Sequence, residues 1–183
     1  MIKKKYELTD ETTEVGFKTL YRIKALRDFG DVKKGDLGGF IEKEDNLSHE
    51  GNCWIGDNAK VYGHAQIFGD AKVFDDSHVC DHAKVYEYAK VFDNAVVNGN
   101  TEVYGSASVG SNAEVFGKAK VYDNAQVFGK AKISGNMKIY GKASIYGSAW
   151  FFGNNCIYGN ALVSDDAQVT ENTEESGNDT ALR

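Results

Sequence analysis

Four histidines (His49, His64, His78, His82) and three cysteines (Cys53, Cys80, Cys156) are the side chains of this 183-residue sequence best suited to proton transfer, metal binding or nucleophilic attack. An imidazole exchanges a proton near neutral pH, so His64 or His82 would serve as a general base. Three histidines in the window from His64 to His82 permit a zinc site. Their spacing does not match a ligand set and no outer partner is evident, so no metal is expected. Nothing near Cys80 or Cys156, both read as outward, would lower a thiol pKa. No Ser/His/Asp or Cys/His set is marked out by spacing. The catalytic residues are therefore unknown, with His64 and His82 the candidates.

A second set of residues recurs at the interval of 18 that separates His64 from His82. It reads Phe68, Tyr86, Tyr104, Tyr122, Tyr140, Tyr158, with Lys84, Lys120 and Lys138 among the polar residues two places earlier. Stacked on one face, these rings would cover and stiffen a sheet. An aromatic strip of that length would also suit a partner surface, first of all a second copy of the chain. A ligand or nucleic-acid platform of tyrosines and lysines is the third use.

The interval comes from a six-residue unit that runs without insertion or deletion from Gly51 to Thr170. The unit is Gly/Asp, variable, Ala, polar, Val/Ile, aromatic, as in Asp57-Asn58-Ala59-Lys60-Val61-Tyr62. Ala59 and Val61 stand two apart and share one face of an extended strand, while Lys60 and Tyr62 take the other. Gly-Asn, Asp-Asn and Gly-Lys pairs tolerate the positive φ of a bend. A strand and a bend every six residues must coil, and three units per turn give a three-sided prism. That winding makes the tyrosine column wholly aromatic. The other two columns are Tyr62, Cys80, Asn98, Phe116, Ser134, Phe152, Thr170 and Phe74, Phe92, Gly110, Phe128, Tyr146, Ser164. Six to seven turns at about 4.8 Å each predict a rod of about 30 Å. Met137, Thr101 and Asn155 stand where alanine is expected, and Cys53 occupies the same inward position.

The pattern resembles the hexapeptide-repeat, left-handed parallel β-helix family (LβH, bacterial transferase hexapeptide-like). The family's inward aliphatic residue matches Val61, Ile67 and Val73, and its inward small residue matches Ala59, Ala65 and Ala71. Here an aromatic follows the aliphatic, and Gly or Asp comes one place later. The segments Leu20–Leu26, Gly35–Glu42 and Asn46–Ser48 are similar to an N-terminal piece of phage- and prophage-encoded members, which are generally uncharacterised. The resemblance implies an all-β, three-sided left-handed parallel β-helix of 18 residues per coil, and a homotrimer. It also implies two functions. One is a non-enzymatic binding protein that captures or blocks a host protein or small nucleotide. The alternative is a CoA-dependent acyltransferase with His64 or His82 as base in an inter-subunit groove, and a CoA thioester as its cofactor. Known acyltransferases of the family carry a loop that interrupts the repeat, and residues 51–170 contain none. The reading therefore leans away from an enzyme.

Three segments follow. Residues 1–50 lie outside the repeat and are expected to form a small β-rich cap over the open end of the coil. Within them Lys5–Leu8 and Thr19–Leu26 read as strands, Thr9–Thr13 as a turn-like stretch and Val32–Asp36 as a hairpin turn. Residues 51–170 are the coil, and residues 171–183 an acidic flexible tail. The net charge of −6 divides unevenly. Residues 1–50 carry 10 basic and 11 acidic side chains, the coil 10 and 12, and the tail 1 and 4. No basic surface predicts duplex binding. No apolar run approaches a membrane span and no leader follows Met1–Lys5. Three scattered cysteines suit a reducing cytoplasm.

Overall fold

The computed structural model describes residues 3–164, together with the backbone of 168–169, 174–177 and 181–182. After an antiparallel pair, β1 (Tyr6–Val15) and β2 (Lys18–Ala25), the chain forms β3 (Leu37–Ile41) and a short 3-10 turn at Glu44–Asn46. Two-residue strands then follow one per hexad, beginning with β4 (Trp54–Ile55), β5 (Lys60–Val61) and β6 (Gln66–Ile67). Every third strand pairs in parallel, Val61 opposite Val79 and Val79 opposite Val97. Three sheets of 10, 8 and 7 strands result, one per side of an all-β prism.

Side-chain alternation sets the interior. The described inward alanines and valines of the repeat are buried and form one continuous core with the cap's Tyr6, Ile23 and Ile41. Polar substitutes for alanine satisfy themselves inside it. Ser77 Oγ donates to Phe74 O at 2.7 Å and Thr101 Oγ1 to Asn98 O at 2.7 Å, so neither hydroxyl is orphaned. Met137 and Asn155 are buried at the same position.

The bends explain why Asp alternates with Gly at the start of each unit. That residue has positive φ throughout, 51° at Asp57, 58° at Asp75 and 55° at Asp93. Glycine adopts this conformation freely, and Asp and Asn tolerate it best among the rest. The carboxylate adds a bond that glycine lacks. Asp75 Oδ2 accepts from the N–H of Asp93 at 3.0 Å, and Asp93 Oδ2 from that of Ser111 at 2.9 Å. Each aspartate thus caps the bend one coil above it.

The cap is wound onto the coil. β3 lies antiparallel to β2 and parallel to β5, so the cap supplies the edge partner of the first sheet. Leu47 bridges to Ile67 in the third sheet. Asn46, fully buried, receives the N–H of Lys43 at 3.0 Å and gives its amide to Ala65 O at 2.9 Å. Tyr6 donates its hydroxyl to Glu44 O and Leu47 O. Two glycines let the backbones meet: a Cβ at Gly38 or Gly39 would lie 2.5 Å from a carbonyl of the first coil. Residues Thr9–Thr13 differ from the expected turn. They belong to β1, where a register irregularity between Leu8 and Thr12 absorbs the polar run as a bulge.

Past the coil, Glu174–Gly177 pairs in parallel with Cys156–Gly159 and Ala181–Leu182 with Leu162–Val163. The rest of the acidic tail, and most of the last repeat unit at 165–170, lie outside the described residues. Among the described residues no helix is long and apolar enough to cross a membrane.

Candidate functional site

Three surface features carry side chains with chemical potential, and the coil's fixed register places two of them. On the third sheet Phe68, Tyr86, Tyr104, Tyr122, Tyr140 and Tyr158 form one unbroken column of half-buried rings. Successive centroids lie 4.8, 4.9, 4.9, 5.0 and 5.1 Å apart, with planes within 8° of parallel. A base stacking between two rings needs about 3.4 Å on each side, more than this spacing leaves. The ring faces are consumed within the column, and ring edges and hydroxyls face outward. Beside them Lys84, Glu102, Lys120, Lys138 and Cys156 stand in register. Tyr86 donates its hydroxyl to Glu102 at 3.0 Å, and Lys120 meets the same carboxylate at 3.0 Å. Burial works to raise the Glu102 pKa, but these two hydrogen bonds outweigh it and hold the carboxyl below its usual range. Burial pushes the Tyr86 and Tyr104 phenols up, and Tyr122 to about 12.

The column on the neighbouring corner shows what one missing ring does. Phe74 and Phe92 stack at 5.2 Å, but Gly110 leaves a gap. Phe92 and Phe128 tilt into it, 5.8 Å apart at 58°. A Cβ at Gly110 would lie 2.7 Å from the Phe92 ring.

The histidines divide. His64 and His82 stack at 4.8 Å, 7° from parallel, on one bend of adjacent coils. They line an open cleft of about 380 Å³ with Lys43, Lys84, Gln66 and Asn100. Among the described residues no side chain hydrogen-bonds either ring, so neither imidazole is oriented as a triad base would be. His78 sits apart on the first sheet, edge-on to Tyr62 at 6.2 Å. His49 belongs to the cap, where it stacks on Tyr6 at 4.4 Å and accepts the Lys5 N–H. Among the described residues no group of histidine, cysteine or acidic side chains could hold a metal ion. Cys156 is half-exposed on the surface as expected, but Cys80 is buried. Cys80 stands in an aromatic column, where its thiol meets the Tyr62 hydroxyl and burial pushes its pKa up.

A third feature, a concavity, was not marked by the repeat. The segment from Asp28 to Asp36, pinned by reciprocal Phe29–Val32 backbone bonds, overhangs the second sheet. Its Asp31 pairs with Lys72 of the coil at 2.5 Å. Two clefts of about 560 and 710 Å³ meet at this pair and share Asp31, Lys72 and Lys90. The first adds Trp54, Leu37 and Phe74, and the second Tyr88, Ser106 and Ser108. Lys90 has no carboxylate within ion-pair distance among the described residues. Each acid lining the two clefts is already engaged: Asp31 by Lys72, Asp36 by the Lys33 N–H, Asp57 by the Asp75 N–H and Asp70 by Asn52. The only available signal was the long connection between β2 and β3, with Gly30 and Gly35 inside it.

Comparison with known proteins fits this architecture. A family model described as YdcK Beta solenoid repeat matches residues 157–171. Over 69 residues the chain is 39% identical to the "Uncharacterized acetyltransferase YdcK" of Escherichia coli (strain K12). That match takes in 33% of this chain, and it spans only 21% of the relative's length. The fold is a parallel β-solenoid, and both similarities are to proteins named for such repeats or for acetyl transfer.

Proposed function

We propose that the chain is a non-enzymatic binding protein that takes its ligand in the cleft beneath the cap segment and assembles through its tyrosine face. One observation supports this above others: the cap segment overhangs two clefts of about 560 and 710 Å³, which contain Lys90, without an ion-pair partner among the described residues, but no nucleophile held by a base. Lys90, with the Ser106 and Ser108 hydroxyls, suits an anionic group, and Leu37, Trp54 and Phe74 suit an apolar body. A host protein or small nucleotide, the partner implied by resemblance, meets that description. The tyrosine edges present a regular ridge that a second copy matches in period, which favours self-association, with a trimer as the assembly.

Native mass spectrometry of the purified protein tests both parts, reading subunit number and any co-purifying molecule. A bound small anion lost on Lys90→Glu supports the cleft. A monomer that carries nothing rejects the proposal.

A second reading, a CoA-dependent acyltransferase, draws support from the relative's name and from the stacked His64 and His82 beside Lys43 and Lys84. Acetyl transfer abolished by His64→Ala and His82→Ala would establish it. Absence of acetyl-CoA binding would dismiss it.

A further inference from the structure

We propose that Lys5 and Cys53 form an oxidation site, in which the side chains become joined through one oxygen atom as an Nζ–O–Sγ bridge. Lys5 Nζ lies 3.1 Å from Cys53 Sγ. Both residues are 0% exposed. The amine is held in place by Cys53 O at 2.8 Å and Glu50 O at 3.4 Å, with the Phe29 ring centroid 5.0 Å away. Around the sulfur the remaining polar neighbours are backbone carbonyls, Ser48 O and Glu50 O at 3.6 Å and Ile67 O at 3.7 Å. None of these carbonyls can react with an oxidised sulfur, and among the described residues the Lys5 amine is the side-chain nucleophile within hydrogen-bonding distance of it.

Burial supports the chemistry. It disfavours the ammonium of Lys5 and the thiolate of Cys53 alike, although their mutual attraction works the other way. Burial thus favours the uncharged amine, the form with a free lone pair for N–O bond formation. With dioxygen as oxidant, one amine N–H and the thiol S–H break, and N–O and O–S bonds form. The second oxygen atom leaves as water with the two hydrogens. Nitrogen and sulfur each give up two electrons, which together reduce the dioxygen. Two equivalents of hydrogen peroxide serve equally and release three waters.

The other cysteines act as internal controls. Cys80 meets the Tyr62 hydroxyl and Cys156 is half-exposed, and neither has an amine within hydrogen-bonding distance among the described residues. The bridge would tie the start of β1 to the first coil and close a long loop, as a disulfide does.

The test is intact-mass spectrometry of the full chain, reduced and then exposed to air or dilute peroxide. The expected product is heavier by about 14 Da, maps to linked Lys5 and Cys53 peptides and reverts with dithiothreitol. Its melting temperature should rise by roughly 5–10 °C. Cys53→Ala restores the residue common at that inward position, so it should fold and lose the product. Cys53→Ser and Lys5→Arg should lose it too. A gain of about 16 Da at Cys53 without a cross-link, or a loss of about 2 Da from a direct N–S bond, overturns the proposal. So does the same product in Cys53→Ala, or oxidation confined to Cys156.

Discussion

An aspartate at the start of a hexad does two things, of which a glycine does one and an alanine neither. It accepts positive φ at tolerable cost, and its carboxylate caps the N–H of the bend one coil away. Asp93→Ala should lose both and destabilise the coil by about 2 kcal/mol in denaturant titration. Asp93→Asn should keep most of the stability. The tyrosine column makes a pH prediction. Burial raises the phenol pKa values of Tyr86, Tyr104 and Tyr122, the last to about 12 when folded against about 10 when unfolded. The stabilisation is therefore complete below pH ~10 and is lost as pH rises through the folded value. Tyrosinate absorbance and circular dichroism should change together in that range. Glu102 gives the opposite sign. Its folded pKa is depressed, so its contribution is present above the unfolded value of about 4.3 and is lost as pH falls through the folded one. Glu102→Gln should flatten the acid limb of the stability profile.

At the scale of elements, the cap is seated by Gly38 and Gly39, whose α-carbons lie against first-coil carbonyls. Gly39→Ala should cost at least about 3 kcal/mol, because backbone on both sides would have to move. Hydrogen exchange should show β1–β3 opening while strands beyond Lys90 keep their protection. This scale also shows where sequence reading succeeds and where it stops. The columns were legible because identical side chains at a fixed interval must stack, and Tyr104 over Tyr86 is a matter of counting. Cys80 does point outward, as the arithmetic has it, but it is buried all the same. An outward position can still be buried when Tyr62 lies over it. The cleft was illegible because Asp31 and Lys72 are 41 residues apart, with no period to connect them. Likewise Lys5 read as the start of a strand, and only the winding of the cap brings its amine to Cys53.

For the whole molecule, neighbours across the sheets are fixed by the interval and hardly at all by position along the axis. If the tyrosine ridge joins copies, Tyr104→Ser with Tyr122→Ser should yield monomers in native mass spectrometry, while the coil stays folded on its buried alanines and valines. An unchanged mass would confine the ridge to self-stacking.

The bare place at Gly110 carries that reasoning into length. Excising Asp93–Gly110 removes one complete circuit and joins Phe92 to Ser111, an aromatic position to a bend residue, as in every intact unit. Phe128 would then become the next ring above Phe92, and the two could lie flat against each other for the first time. Such a shortened chain should fold with a healed corner, whereas cutting a single hexad would set every later side on the wrong wall. Size, in this design, is adjustable only in whole storeys.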